Sequence, residues 1–224
     1  MSAPVVARLI LKDWRLNRVL ISLAFAMGLG ALLIVRFGGE TARLVGTVWF
    51  FVALIVLGSM LPGTAILNER KKQTLPFIMS LPVTSVQYTI AKIVSTWTMF
   101  LVPWLALLIS ALIEVETGRT IPHGVIPTLL ILAMLPVLGF CIISSVTLVG
   151  ESEGWLIAAS VACNSSYWFV WYWLARIQSL TDNWKGPVAL WNPAARTVLF
   201  SEFVLVAVIL ALTFFLQSRK RDFI

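Results

Sequence analysis

Six apolar runs alternate with short polar segments along the chain, at about 19–36, 44–67, 93–113, 125–149, 155–175 and 197–216. A helix needs about 20 apolar residues to cross the roughly 30 Å hydrocarbon core of a bilayer. The pattern therefore predicts an all-α membrane protein with six transmembrane helices. Residues 4–18 precede the first run, with Arg8, Lys12, Arg15 and Arg18 within one helical arc. Val6, Leu9, Ile10 and Leu16 take much of the other side, and Asp13 and Asn17 interrupt it. This predicts an interfacial helix lying on the membrane surface before the chain turns inward. A basic flank that only fixes orientation is the alternative. Ala24-Phe25-Ala26 mimics a signal-peptide cleavage site, but the apolar run continues unbroken to Val35 and reads as a retained span.

The longest polar interruption is the stretch 68–92. It opens on the charges Glu69, Arg70, Lys71 and Lys72 and turns apolar toward Met79. It breaks at Ser80-Leu81-Pro82, because the residue before a proline avoids the helical region. Thr84 and Gln87 have the spacing of a capping box, predicting a helix that starts there and runs on into the third span. Just before this stretch, Pro62-Gly63 predicts a kink at the end of the second span. The stretch reads as a helix–break–helix element under the bilayer, or as a solvated basic loop that only sets topology.

Composition narrows the class. Of 224 residues, 59 % are hydrophobic and 12 % charged, against roughly 45–50 % and 25 % in soluble domains. The net charge of +7 lies between the apolar runs and forms no single basic surface, which argues against nucleic acid and for the positive-inside bias. With six spans and both termini in the cytosol, eleven of the seventeen Lys and Arg fall on cytosolic segments and six on outer ones. That balance predicts cytosolic termini. Cys141 and Cys163 lie within apolar runs and read as packing residues, neither a disulfide framework nor a metal site.

Catalytic signatures are missing. These residues contain no Gly-Lys dipeptide, which excludes a G-x-x-x-x-G-K phosphate loop. The single histidine, His123, lies in an outer loop with Glu114 and Glu116, which read as solvated charges. No aspartate falls within a span, and the serines there have no histidine base at membrane depth. Polar content inside the spans is sparse. Asn164 lies near the middle of the fifth, and Trp168, Trp171 and Tyr172 continue its helical face. They read as a route for an amphipathic molecule, or as interhelical glue beneath an aromatic belt. Glu202, about two turns into the sixth span, is a second route candidate that could instead snorkel outward. The outer loop 176–196, with Trp184, Pro187, Trp191 and Pro193, reads as a segment dipping back into the interface.

Taken in order, Glu69-Arg-Lys-Lys-Gln-Thr74, Ser80-Leu-Pro-Val83, Tyr88 and Lys92 resemble the loop between the second and third spans of type-2 ATP-binding-cassette (ABC) transporter permeases. Lys12-Asp13-Trp14-Arg15-Leu16-Asn17-Arg18 resembles that family's N-terminal helix, and Arg219-Lys-Arg-Asp222 its basic tail. The resemblance implies a permease subunit of an exporter, paired with a second permease subunit, the same or a related chain, and resting on separate ATPase subunits. It implies that Lys12, Arg15, Glu69, Arg70, Lys71, Lys72, Thr74, Ser80, Leu81 and Pro82 face those ATPases. ATP and magnesium would be bound by the ATPases, leaving no cofactor in this chain, and the setting would be a prokaryotic cytoplasmic membrane. The competing reading is a non-transport membrane scaffold or sensor whose basic segments hold anionic lipid.

Overall fold

In the computed structural model the described residues are 3–67, 85–118, 121–150 and 152–219. Their elements are helical, as lipid requires of backbone that must satisfy its own hydrogen bonds. They are α1 (Ala3–Phe37), α2 (Glu40–Pro62) with a π-helical turn (Gly63–Leu67), α3 (Ser85–Thr117) and a 3-10 turn (His123–Val125). There follow α4 (Ile126–Gly150), α5 (Glu153–Leu174), the single turn α6 (Gln178–Thr181) and α7 (Pro193–Arg219). Five helices are long and apolar enough to cross a membrane, at Ala7–Phe37, Glu40–Leu67, Ile90–Thr117, His123–Gly150 and Pro193–Gln217. The 22-residue α5 is not among them. Ser160, Asn164, Ser165, Ser166 and its Trp and Tyr side chains dilute its hydropathy.

The predicted turn between residues 18 and 19 is absent, because α1 is one continuous helix of 35 residues. Nothing from Trp14 to Met27 is a glycine or proline that could break it. Burial departs from the expected faces at three positions, while Arg8, Arg15 and Arg18 stay exposed. Asp13 and Asn17, which interrupt the apolar stripe, are the buried residues, whereas Leu16 is 71 % exposed.

α1 and α3 run parallel. Asp13 meets Lys92, Gly28 lies against Leu107, and Arg36 meets Glu114. At about 1.5 Å per residue the two ion pairs are separated by about 33–35 Å along either helix, close to the thickness of a hydrocarbon core. Glu114, expected as a solvated loop charge, is therefore a buried residue of α3 paired 2.7 Å from Arg36. Between α1 and α3 the chain makes a hairpin through Gly38-Gly39 into α2. A Cβ on Gly46 of α2 would lie 2.8 Å from the Ala31 carbonyl oxygen, so the hairpin's two backbones approach as only a glycine allows.

α4 is the centre of the bundle, with Ile131, Ala133, Phe140 and Ile143 fully buried. It runs antiparallel to α3, since the Trp104 indole donates to the Ala133 carbonyl at 2.8 Å and Phe140 stacks on Phe100 at 4.4 Å. It runs parallel to α7. Ala195 packs with Ile131, the Cys141 thiol donates to the Val206 carbonyl, and Gln217 donates to the Leu148 carbonyl at 2.8 Å. α5 runs antiparallel to α2, with Leu156 near Gly63, Asn164 near Ser59 and Trp171 near Phe51. Ser152 caps its start, its hydroxyl accepting from the Trp155 amide at 3.3 Å, and Glu153 complements the helix dipole there. The segment 176–196 folds back over the start of α4. Trp184 donates to the Thr128 hydroxyl at 2.9 Å, and Leu180 and Trp191 pack on Ile131 and Leu132.

Candidate functional site

Two places in this bundle combine polar chemistry with burial. The first is the end of α1, α2 and α3 from which the 68–92 stretch leaves and to which it returns. Pro62 has no N–H to donate, and beyond it α2 widens into the π-helical turn Gly63–Leu67. That turn offers the Ala65 carbonyl to Lys92 of α3, at 2.8 Å. The Lys92 ammonium also meets the Asp13 carboxylate of α1 at 2.9 Å, and the Ser95 hydroxyl donates to the same oxygen at 2.9 Å. Around this pair, Asn17 donates to the Asp13 carbonyl at 2.9 Å and the Trp14 indole donates to the Thr98 hydroxyl at 3.3 Å. Asp13 is 3 % exposed and Lys92 4 %. Lys92 thus lies two turns inside α3, where it closes a buried network and is not a solvated end of the polar stretch.

A buried ion pair holds its geometry because removing either partner strands the other charge, typically at about 3–5 kcal/mol. This one ties both roots of the polar stretch, Ala65 before it and Lys92 after it, to α1. Lys12 and Arg15 lie on the same part of α1, Lys12 half-buried and 4.0 Å from Asp13, Arg15 exposed. Glu69, Arg70, Lys71, Lys72, Thr74, Ser80, Leu81 and Pro82 lie outside the described residues. Asp13 and Ser95 were not among the expected functional residues. The available signal was an acid within a basic, half-apolar stretch, which as a buried charge demands a partner.

The second place is a cavity of about 390 Å³ between α2, α4 and α5. Thr47, Phe51, Leu135, Asn164, Trp168 and Trp171 are among the residues that line it, none of them charged. Ser59 donates to the Asn164 side-chain oxygen at 3.3 Å, so the oxygen of the one amide side chain in the lining is engaged. Trp171 meets Phe51 edge-on at 6.3 Å. Tyr167, also on the wall, presses on α4 where a Cβ on Gly139 would lie 1.9 Å from its hydroxyl oxygen. Trp168 is 71 % exposed, so one wall opens toward the surroundings of the bundle.

The family model described as ABC-2 family transporter protein matches residues 8–183. This chain belongs to the ABC-2 transporter family. No curated protein and no solved structure matches it. The matched residues span both places, the Asp13–Lys92 network and the cavity, and stop before α7. As an ABC-2 chain it is a multi-pass membrane protein and a transport permease, the membrane component of an ABC system.

Within this ABC-2 bundle the four route candidates divide. Asn164 and Trp168 share the cavity. Tyr172 does not line it; its hydroxyl accepts from Arg176, whose guanidinium lies 4.3 Å from the ring centroid, at the C-terminal end of α5. Glu202 sits on α7, away from the cavity wall, and does not snorkel: it is 4 % exposed, and its Oε2 has no hydrogen-bond partner among the described residues.

Proposed function

We propose that this chain is the permease subunit of an ATP-driven exporter and couples to separate ATPase subunits through the 68–92 stretch and the basic face of α1. The observation that supports this most strongly is the buried Asp13–Lys92 ion pair. A polar stretch that only set topology would need no fixed geometry at its roots, whereas one that receives a push does. With Lys92 and the Ala65 carbonyl tied to α1, displacement of the stretch moves three helices together.

In this reading α5 is a sixth crossing, and both termini and the 68–92 stretch are cytosolic. The order of directions agrees with that: α1 and α3 are parallel, α4 and α7 are parallel, and α5 opposes α2. The permease works as a pair with a second permease subunit in a prokaryotic cytoplasmic membrane. ATP and magnesium belong to the partner ATPase. The cavity receives the substrate. Its uncharged lining, with one side-chain amide and indole rings, suits a neutral or amphipathic molecule entering from the bilayer.

Co-purification with an ATPase, together with a change in that enzyme's turnover when the permease is present, tests the proposal. A scaffold or sensor would leave the turnover unchanged.

A further inference from the structure

The coupling reading concerns one end of α1 and α3; the other end carries a second charge pair that it leaves unused. There the Arg36 guanidinium lies 2.7 Å from Glu114 Oε2, and Arg36 also reaches the Thr117 hydroxyl at 3.5 Å. The Glu114 side chain is 9 % exposed and that of Arg36 45 %. The second Glu114 oxygen, Oε1, is buried with no partner among the described residues, and among these Arg36 is the cation that answers its charge. Between the two pairs α1 and α3 touch closely, since a Cβ on Gly28 would lie 2.7 Å from Leu107.

Two parallel helices held only by apolar packing can slide or roll, because lipid competes equally for apolar surface. A charge pair at each end, buried at Asp13–Lys92 and buried on the Glu114 side at Arg36–Glu114, removes that freedom: a slide of one turn would part Lys92 from Asp13 and Glu114 from Arg36. We propose that Arg36 and Glu114 are the outer latch of a two-ended charge clamp, making α1 and α3 one body that carries movement from Lys92 across the membrane to the outer face. They act as positioning residues, and the proposal rests on the coupling reading for the source of the movement.

Two readouts separate the clamp from that reading. In the purified permease alone, hydrogen–deuterium exchange over 108–118 is expected to rise at least tenfold in Glu114→Gln. It is also expected to rise at least threefold in Asp13→Asn, a change at the opposite end of the pair. Wild-type exchange over that stretch in either variant overturns the clamp, whether or not an ATPase binds. For the complex in proteoliposomes, Glu116→Cys is placed in a Cys141→Ala, Cys163→Ala background and labelled with a membrane-impermeant maleimide. Labelling is expected to change with ATP and vanadate. Glu114→Gln should lose that change while ATP hydrolysis stays within twofold, and the exchanged pair Arg36→Glu, Glu114→Arg should restore it. Persistence of the change in Glu114→Gln, or no recovery in the exchanged pair, overturns transmission through the latch. Failure of any ATPase to bind counts against the coupling reading, and the exchange experiment alone then decides the clamp.

Discussion

Asp13 of α1 and Lys92 of α3 form an ion pair 2.9 Å long with both side chains at most 5 % exposed, at the point where the polar stretch rejoins the bundle. Ser95 and the Ala65 carbonyl complete it, so that three helices share one charged knot. Its position gives a mechanical reason for an acid to interrupt an otherwise basic and apolar segment.

Breaking this knot on one side is expected to be costly. Asp13→Ala or Lys92→Ala should each lower stability by about 3–5 kcal/mol, because the remaining charge is left buried. The paired replacement Asp13→Leu with Lys92→Met should recover most of that loss and still lose nucleotide-dependent movement of α1. Thermal unfolding in detergent measures the first effect, and nitroxide labels on α1 and α3 in the ATPase complex measure the second.

The cavity makes a separate demand. Asn164→Ala should weaken binding of a neutral amphiphilic fluorophore about 3- to 10-fold, the worth of one hydrogen bond of about 0.5–1.5 kcal/mol. Trp168→Ala should weaken it by a similar factor through lost ring contact. Tyr172→Ala, outside the lining, should leave binding within twofold. Fluorescence titration of the purified permease checks all three, and equal effects at Tyr172 and Asn164 would remove the cavity from the account.

Gly139 sets the wall of the same cavity. Gly139→Ala should push Tyr167 off α4, since the new methyl would sit 1.9 Å from the Tyr167 hydroxyl oxygen. Overpacking of this kind costs about 1–3 kcal/mol. Tyr167→Phe, which removes the clashing oxygen, should recover part of the loss when combined with Gly139→Ala. Thermal unfolding of the two single variants and the double variant reads this directly.

Much of the architecture was legible from periodicity and length, because lipid leaves helices as the natural use of long apolar runs. The perturbation at Pro62-Gly63 followed from proline chemistry, whereas the expected cap Thr84 lies outside the described residues, next to the start of α3 at Ser85. Asn164 and Trp168 share the cavity as their spacing of four residues implied. Registry between helices was not legible. Nothing local joins Asp13 to Lys92, 79 residues away, or Arg36 to Glu114, 78 away. For that reason Asp13 read as a flaw in a stripe and Glu114 as a loop charge. The turn after residue 18 was expected from the basic arc and apolar side of residues 4–18, although no residue there breaks a helix. Tyr172 shares the Asn164 face in sequence, yet it pairs with Arg176 at the helix end. Glu202 is covered by packing that its own helix pattern does not reveal.

In the proposed mechanism a partner ATPase presses on the 68–92 stretch and the Asp13–Lys92 knot passes the push to the spans. Replacing Arg70, Lys71 and Lys72 together by glutamate tests it most directly, with the amount of ATPase co-purifying on the tagged permease as the measurement. The reversed charges are expected to abolish co-purification while the permease itself remains folded, with an unfolding temperature close to that of the unaltered chain. An undiminished amount of bound ATPase, with its turnover still changed by the permease, would contradict it.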